Sequence, residues 1–262
     1  MFDEVAIRYD ETFTHTQIGT MQRNFVWNYL NRVLPENEMM TILELNCGTG
    51  EDAIFLAQKG HKITATDISS EMISVVKNKI AEKDLRKDIQ TLQCDIRNVG
   101  DCFPEDTFNL VFSNFGGLNC LNSADLIELS GTLAKILKSG GRFIAVVMTN
   151  FCLWESLYFI AKLKFKEVFR RNTKNGMMVK VGKHEIETWY YAPGEFGQLF
   201  ESNFRTLGSV PIGFAVPPSY LEPFFKTRLS FLNKLNRIDG LIQRITAMAR
   251  MSDHFLIDFL KI

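Results

Sequence analysis

The chain lacks several features that would assign it to a particular class of protein. Its 262 residues contain no uninterrupted apolar run long enough to cross a bilayer. Its formal net charge is +0, from 30 basic and 30 acidic residues, so bulk attraction to nucleic acid is not indicated. The start, Met1 to Glu4, is acidic and has no signal-peptide basic region. We therefore expect a cytoplasmic protein with no transmembrane segment and no nucleic-acid partner.

Cysteine and histidine are too few and too scattered to suggest a disulfide framework or a metal centre. The five Cys are an odd number without a Cys-x-x-Cys pair, which predicts free thiols in a reducing compartment. The four His form no spaced cluster with carboxylates, so we expect no metal. Hydrophobic residues make up 46% of the chain, which is ample for a core.

One glycine-containing stretch, residues 41–53, organises the rest of the chain. Thr41 to Leu45 predicts a buried strand, and Gly48 and Gly50 predict a turn whose backbone can approach a ligand closely. A helix follows, and this succession is typical of a nucleotide-binding site in a doubly wound sheet. The spacing Gly48-x-Gly50-x-x-Ala53 also fits the dinucleotide fingerprint. A nicotinamide-dependent oxidoreductase therefore stays open as an alternative.

Polar residues follow each of the next three predicted strands. Asp67 ends the strand that begins at Lys62, and Asp95 follows the strand 90–94. Ser113, Asn114 and Phe115 follow the strand 108–112. Open α/β sheets bind ligands at the carboxyl ends of their strands, so we expect these residues to line one site.

On these residues the chain resembles the class I S-adenosylmethionine-dependent methyltransferases that act on small molecules. The segment 44–50, Glu-Leu-Asn-Cys-Gly-Thr-Gly, is similar to their first motif, and the segment 9–13 is similar to their Tyr-Asp-x-x-Phe lid. The resemblance covers the N-terminus through about Thr149. It implies S-adenosyl-L-methionine as cofactor. It also implies a Rossmann-like, seven-stranded, mostly parallel sheet with helices on both faces and helical and β-hairpin insertions after strands 5 and 6.

The resemblance also implies roles for individual residues. Asp67 would bind the ribose hydroxyls, Asp95 and Ile96 would contact adenine, and Tyr9 would approach the cofactor carboxylate. The residues expected to bind the cofactor are Tyr9, Glu44, Asn46, Cys47, Gly48, Gly50, Asp67, Ile68, Met72, Asp95, Ile96, Ser113, Asn114 and Phe115. Asn46 replaces a glycine of the family motif. Because Asn tolerates left-handed dihedrals, we expect the turn to survive.

We expect a single methyltransferase domain over residues 1–262. Its parts would be a helical lid (1–40), a cofactor-binding core (41–149), a cap insertion (150–192) and the rest of the sheet with a helical insertion (193–262). Apolar periodicity predicts amphipathic helices over Gln22–Leu34 and Phe151–Arg171. A hairpin is predicted around Gly182-Lys183, and a last strand over His254–Ile262.

The cap and the later insertion are rich in aromatic residues, which favours an apolar, aromatic or lipid-like methyl acceptor. No catalytic base is evident: His15, His184 and Tyr191 are weak candidates, each more often structural. A non-catalytic S-adenosylmethionine-binding protein therefore remains a second alternative. The basic stretch 162–174 is read as a helix with a solvated face, or as a contact for an anionic carrier protein or membrane surface.

Overall fold

The computed structural model describes residue 6, residues 8–182 and residues 184–262. Seven strands form the main sheet. They are β1 (Thr41–Leu45), β2 (Lys62–Asp67), β3 (Ile89–Gln93), β4 (Phe108–Ser113), β5 (Leu137–Met148), β8 (Phe204–Ile212) and β9 (His254–Lys261). Their order is β3-β2-β1-β4-β5-β9-β8, and β9 alone runs antiparallel to the other six strands. The expected seven-stranded, mostly parallel sheet is confirmed.

Helices cover both faces of this sheet, because its strands carry apolar residues on both sides. The helices are α1 (Gln17–Val33), α2 (Glu51–Gln58), α3 (Ser70–Glu82), α4 (Val99–Cys102), α5 (Ser123–Ile136), α6 (Leu153–Ala161), α7 (Pro193–Phe200), α8 (Glu222–Phe225) and α9 (Leu229–Ile242). In β1, Ile42 packs into the core beneath α1, α2 and α3, whereas Leu43 and Leu45 pack into the core beneath α5 and α7. Successive side chains of this one strand therefore pack against helices on opposite faces of the sheet.

Two insertions follow β5 and β8, as expected, and the hairpin of the first forms a separate two-stranded sheet. The first contains α6 and the hairpin of β6 (Met177–Val181) and β7 (His184–Thr188). The turn residue Lys183 lies outside the described residues, as do residues 1–5 and 7 of the expected lid. The second insertion contains α8 and α9. No helix in the described parts of the chain is long and apolar enough to cross a membrane.

The predicted helix over Phe151–Arg171 is wrong in its length and in its buried face. Helix α6 ends at Ala161, and Leu163 adopts a left-handed φ of 57° that stops the helix. The stretch 162–174 is therefore a series of turns with one short 3-10 segment. Leu157 and Ile160 belong to the apolar stripe on which that prediction rested, but both are exposed. Helix α6 packs inward through Glu155 and Phe159 instead.

Candidate functional site

The turn after β1 takes the left-handed backbone that its residues predict. Asn46, Gly48 and Gly50 have φ values of 46°, 53° and 79°. A Cβ on Gly50 would lie 2.8 Å from Val76 Cγ1, so glycine is required there for close packing against α3 as well as for its backbone. The turn survives the replacement of glycine by Asn46.

The Asn46 side chain joins this turn to the loop after β4. Ser113 Oγ donates to Asn46 Oδ1 at 2.6 Å, and Asn46 Nδ2 donates to the Asn114 carbonyl at 2.7 Å. A Cβ on Gly117 would lie 2.2 Å from Asn46 Cγ, so that glycine makes room for the amide. Asn46 therefore fixes the spacing between two of the expected cofactor-binding loops.

Asp67 lies at the carboxyl end of β2 beside the same turn. The backbone N–H of Gly48 donates to Asp67 Oδ2, and that of Ser69 donates to Oδ1, both at 2.9 Å. These bonds hold the carboxylate in one orientation at the rim of the turn. Ile68 is exposed next to it, whereas Met72 is buried beneath and donates its N–H to Ser69 Oγ. The structure thus brings Asp67 and Ile68 to the site and places the Met72 side chain below it.

Asp95 lies one strand further along the same edge. Its Oδ1 accepts the Arg97 N–H at 2.9 Å and begins a short 3-10 turn, and Ile96 next to it is half-buried. Asp67 and Asp95 follow adjacent parallel strands, β2 and β3. The sheet therefore brings both acids to one edge, as the sequence predicts.

A buried cluster of charged and polar side chains lies where β1, α1 and β4 meet. Arg23 Nη1 pairs with Asp52 Oδ2, which also accepts Asn114 Nδ2 at 2.9 Å, and Trp27 Nε1 donates to Asp52 Oδ1 at 2.6 Å. Three buried polar atoms there have no hydrogen-bond partner: Arg23 Nε, Asn114 Oδ1 and Glu44 Oε2. Buried polar atoms are normally satisfied, so this cluster is suited to a polar ligand.

Arg23 and Asp52 are site residues that sequence reasoning missed. Arg23 lies on the predicted helix 22–34, and Asp52 lies in the first turn of the helix that follows the glycine turn. A buried basic residue on α1, the helix that covers the sheet, would have indicated this site. That burial depends on how α1 packs on the sheet, which apolar periodicity alone does not specify.

Burial raises the pKa of two other groups in this region. It raises the pKa of Tyr9 to about 12, so the phenol stays a hydrogen-bond donor at neutral pH. Burial, reinforced by the Asp52 carboxylate, holds the pKa of Glu44 well above its usual range. The Arg23 guanidinium is therefore the principal positive charge of the cluster.

The segment around Tyr9 closes over the turn after β1. It contains a π-helical turn, Asp10–Thr14, and Asp10 Oδ1 accepts Thr49 Oγ1 at 2.6 Å. Lys79 Nζ lies 2.5 Å from Asp10 Oδ2 and 2.6 Å from Glu51 Oε1, so one ammonium bridges the lid to α2. The cavity beneath Tyr9 is about 30 Å³, which is room for about one water. A nucleoside-sized ligand therefore enters only when this lid moves.

Phe115 is held in a strained backbone at the centre of the site. Its φ of 45° is uncommon for a bulky residue. Its ring meets Phe13 of the lid with the centroids 5.7 Å apart, and the Arg23 guanidinium lies 5.3 Å from its centroid. Strain of this kind collects at functional sites, and here it presents an aromatic ring between the lid and the sheet edge.

His254 reaches the same edge because β9 runs antiparallel to β5, so its first residue pairs with Met148, the last residue of β5. Its ring lies against Phe115, and Nδ1 lies 3.2 Å from Asp253 Oδ2 at an ion-pair distance without hydrogen-bond alignment. Arg171 Nη2 donates to Asp253 Oδ1 at 3.0 Å and to Glu155 Oε2 at 2.9 Å. Desolvation raises the pKa of Asp253, but His254 and Arg171 outweigh it and hold that pKa below its usual range. Sequence reasoning read His254 only as the start of a strand.

The three candidate catalytic residues lie elsewhere or are otherwise engaged. The His15 side chain is 60% exposed and lies 3.6 Å from Glu51. His184 is exposed on the β6–β7 hairpin. The Tyr191 hydroxyl donates to the buried Leu121 carbonyl at 2.5 Å, so it is occupied in the core.

One group of potential metal ligands, Asp10, His15 and Glu51, occurs in the described part of the chain. The Lys79 ammonium already lies between its two carboxylates. We therefore interpret the cluster as an ion-pair network that holds the lid.

A larger groove of about 890 Å³ lies along α7, β8 and the turn 246–250. None of the expected cofactor-binding residues lines it. The site described above is therefore separate from this groove.

A family model described as a methyltransferase domain matches residues 42–141. Three curated relatives match over longer or shorter stretches. "Putative methyltransferase YqeM" of Bacillus subtilis is 31% identical over 156 residues, 59% of this chain and 58% of the relative. A tRNA 5-carboxymethoxyuridine methyltransferase of Escherichia coli is 28% identical over 37% of this chain and 38% of its own length. A demethylmenaquinone methyltransferase of Clavibacter sepedonicus is 30% identical over 55% of each chain. This chain therefore spans between about two fifths and three fifths of the length of these relatives.

Among solved structures, an S-adenosylmethionine-dependent methyltransferase of Methanosarcina mazei superimposes with a TM-score of 0.62 at 15% identity. The match covers 89% of this chain and 97% of that one. At this identity the likeness extends to the fold, including the parts of the chain outside residues 42–141.

Proposed function

We propose that this chain, whose residues 42–141 match a methyltransferase domain, is a class I S-adenosylmethionine-dependent methyltransferase that transfers a methyl group to a small, apolar, aromatic or lipid-like acceptor. One observation carries the proposal. Buried polar atoms without partners, Arg23 Nε and Asn114 Oδ1, lie in the pocket that the lid closes above the glycine turn. A donor and an acceptor in one pocket are what the carboxylate and ammonium of a methionine moiety require.

Each part of the cofactor is assigned to residues by their chemistry. Arg23 would bind the carboxylate, and Asn114 Oδ1 and Glu44 would receive the ammonium. Asp67, already oriented by two backbone N–H groups, would accept the ribose hydroxyls. Asp95 and Ile96 would meet the adenine. The other cofactor-binding residues named from the sequence remain part of this proposal.

The cofactor supplies an electrophilic methyl group on a positively charged sulfur. The chain then has to align the acceptor in line with that group and exclude water. An aromatic wall formed by Phe13 of the lid, Phe115 and the His254 ring would face the acceptor. Where the acceptor carries an acidic hydroxyl, His254 would take its proton, and Asp253 would hold the imidazole in place.

The acceptor class rests on two supports. The wall beside the site is aromatic. Trp154 and Tyr158 of the first insertion and Phe225 of the second join α1, the helix that covers the site, in one apolar cluster. One relative is a demethylmenaquinone methyltransferase, and another is a tRNA 5-carboxymethoxyuridine methyltransferase. The apolar surroundings favour the first kind of acceptor.

Two measurements test the proposal in sequence. Calorimetry should show S-adenosylhomocysteine binding in the micromolar range, about −7 to −8 kcal/mol, and no binding of NADH or NADPH. Transfer of labelled methyl is then measured on demethylated quinones, phenols, lipids and tRNA. Nicotinamide binding without nucleoside binding would contradict the proposal. Tight binding without turnover on any acceptor would favour the non-catalytic alternative.

A further inference from the structure

The two insertions, which pack against each other, present large apolar side chains to solvent. Leu163 is 76% exposed and Phe165 is 64% exposed, and both lie in the turns that follow α6. We call this face the outer patch. Its apolar members, all exposed, are Leu157, Ile160, Leu163, Phe165 and Phe169 from the first insertion, and Tyr220, Phe224 and Phe231 from the second. Large exposed apolar surfaces of this kind mark interaction sites.

The two halves of the outer patch are joined by packing beneath it. Trp154 meets Phe225 edge-on with the ring centroids 5.8 Å apart, and Tyr158 meets Tyr220 at 6.3 Å. The indole N–H of Trp154 also donates to the Ala215 carbonyl at 2.8 Å. The exposed tips are therefore carried on one supported platform.

Basic side chains surround these apolar tips. They are Lys162, Lys164, Lys166, Lys226 and Arg228, and none of them forms a salt bridge within the described residues. Glu167 is the exposed acid in the same stretch, whereas Arg170 pairs with the buried Glu155 and Arg171 pairs with both Glu155 and Asp253. In a chain whose overall charge is +0, this is a local concentration of positive charge.

We propose that the outer patch docks on the surface of an anionic lipid bilayer. Its apolar tips would enter the boundary between headgroups and acyl chains, while the surrounding ammonium groups meet lipid phosphates. The composition favours a bilayer over the alternatives. Lysine is depleted in protein–protein interfaces, and Leu157, Ile160 and Leu163 offer no flat ring on which a nucleic-acid base stacks.

The outer patch is connected to the methyl-transfer edge of the sheet. The Tyr220 hydroxyl donates to Glu155 Oε2 at 3.2 Å, and Glu155 pairs with Arg171, which holds Asp253 beside His254. A bilayer at the patch would therefore contact a part of the chain that this network links to His254. That the bilayer delivers the acceptor rests on the proposed function; that the patch binds lipid does not.

Vesicle co-sedimentation of the full chain tests the docking without any turnover. Vesicles of phosphatidylcholine alone are compared with vesicles that also contain phosphatidylglycerol, at low and high salt. We expect binding to the anionic vesicles, weakened by salt. Leu163→Ser with Phe165→Ser should reduce it at least tenfold. Lys162→Gln, Lys164→Gln and Lys166→Gln should each reduce it about fivefold, in keeping with the typical contribution of one basic residue near a charged membrane.

Matched controls remove comparable groups from other faces. Ile127 on α5 is 56% exposed, and Lys77 and Lys83 are exposed on or beside α3. Ile127→Ser and the pair Lys77→Gln, Lys83→Gln should leave vesicle binding unchanged, and melting temperatures should show that all variants are folded. Equal losses in the control variants would overturn the proposal.

Three further outcomes would also overturn it. The first is a wild-type chain that ignores anionic vesicles at low salt. The second is self-association, measured by light scattering, that the Leu163 and Phe165 variant abolishes, since the patch would then bind a second copy. The third is a chain that binds tRNA through Lys162, Lys164 and Lys166 and does not bind vesicles. S-adenosylhomocysteine affinity, measured in parallel, reports separately on the proposed function.

Discussion

The imidazole of His254 meets the ring of Phe115 edge-on, with the ring centroids 5.3 Å apart and the planes inclined by 83°. The two residues are 139 positions apart in the chain, and they meet because the antiparallel β9 begins at the edge where the parallel β4 ends. Phe115 belongs to the loop after β4, which is expected to bind the cofactor. The contact therefore places an imidazole next to the expected cofactor site.

Replacing His254 should impair turnover and spare cofactor binding. A positioned general base contributes on the order of 10²–10⁴-fold to a rate, so His254→Ala should lower turnover of a hydroxylic acceptor by about that factor. S-adenosylhomocysteine affinity, measured by calorimetry, should change little. His254→Gln keeps much of the volume and serves as the control for packing against Phe115. Full activity in the Gln variant would remove His254 from proton transfer.

Replacing Arg23 should discriminate between the two ends of the cofactor. Arg23→Met removes the proposed carboxylate contact, so the affinity for S-adenosylhomocysteine should fall on the order of ten- to a hundred-fold, since such charged bonds contribute roughly 1.5–3 kcal/mol. Methylthioadenosine, which lacks the amino-acid group, should bind both proteins equally.

The Arg23 variant leaves the Asp52 carboxylate without its cation, which is costly for a buried group. Arg23→Met with Asp52→Asn relieves that charge and tests whether stability accounts for the loss. Equal losses for both ligands would mean that Arg23 only maintains the fold of the site.

Replacing Asp67 tests the ribose end. Asp67→Ala removes charged hydrogen bonds worth roughly 1.5–3 kcal/mol, so affinity for S-adenosylhomocysteine should fall on the order of ten- to a hundred-fold. Because Asp67 also accepts the Gly48 and Ser69 N–H groups, Asp67→Asn, which keeps one acceptor oxygen, should lose less. Calorimetry with a melting curve for each variant checks this. Unchanged affinity in a folded Ala variant would exclude the ribose role.

The arrangement of the cofactor edge could be predicted from the sequence because it depends on local chemistry. Asn46 tolerates a left-handed backbone and takes one here, and Asp67 and Asp95 reach one edge since each ends a parallel strand. Arg23 and His254 could not be predicted in the same way. Their positions depend on the packing of α1 and on the antiparallel insertion of β9, both of which are long-range features.

The error over Phe151–Arg171 has a different physical cause. The apolar spacing is helical, but burial of an ion network decides which face turns inward. Glu155 binds Arg170 and Arg171 on the inner side, and Leu163 ends the helix, so the apolar side remains outside. A periodic apolar stripe predicts burial only when nothing else competes for the core.

Asp239 should make stability fall as pH rises. Burial raises its pKa to about 6, although the Ala215 and Val216 N–H groups oppose that shift. The folded state then keeps the proton over a range in which the unfolded chain has lost it. The contribution of Asp239 to stability is therefore greatest below about pH 4 and declines by about 3 kcal/mol between about pH 4 and 6.

Urea unfolding of the wild type and of Asp239→Asn across this range isolates the effect. The stability of the wild type relative to the variant should fall as pH rises from about 4 to 6, since the amide does not titrate. A difference that rises with pH would show that the carboxylate is stabilised in its charged form.

Lys79 should control how readily the lid opens. Its ammonium bridges Asp10 of the lid to Glu51 of α2, and the cavity beneath Tyr9 is too small for a nucleoside while the bridge holds. In the wild type, hydrogen exchange over residues 8–20 should slow when S-adenosylhomocysteine is added, because a lid becomes ordered on its ligand.

Replacing Lys79 tests the bridge itself. Lys79→Met should speed hydrogen exchange over residues 8–16 in the free protein and leave exchange in β8 and β9 unchanged. Lys77→Met, an exposed neighbour on the same helix, is the control. If both variants exchange like the wild type, the bridge does not hold the lid, and the segment closes through Tyr9, Phe13 and Thr49 alone.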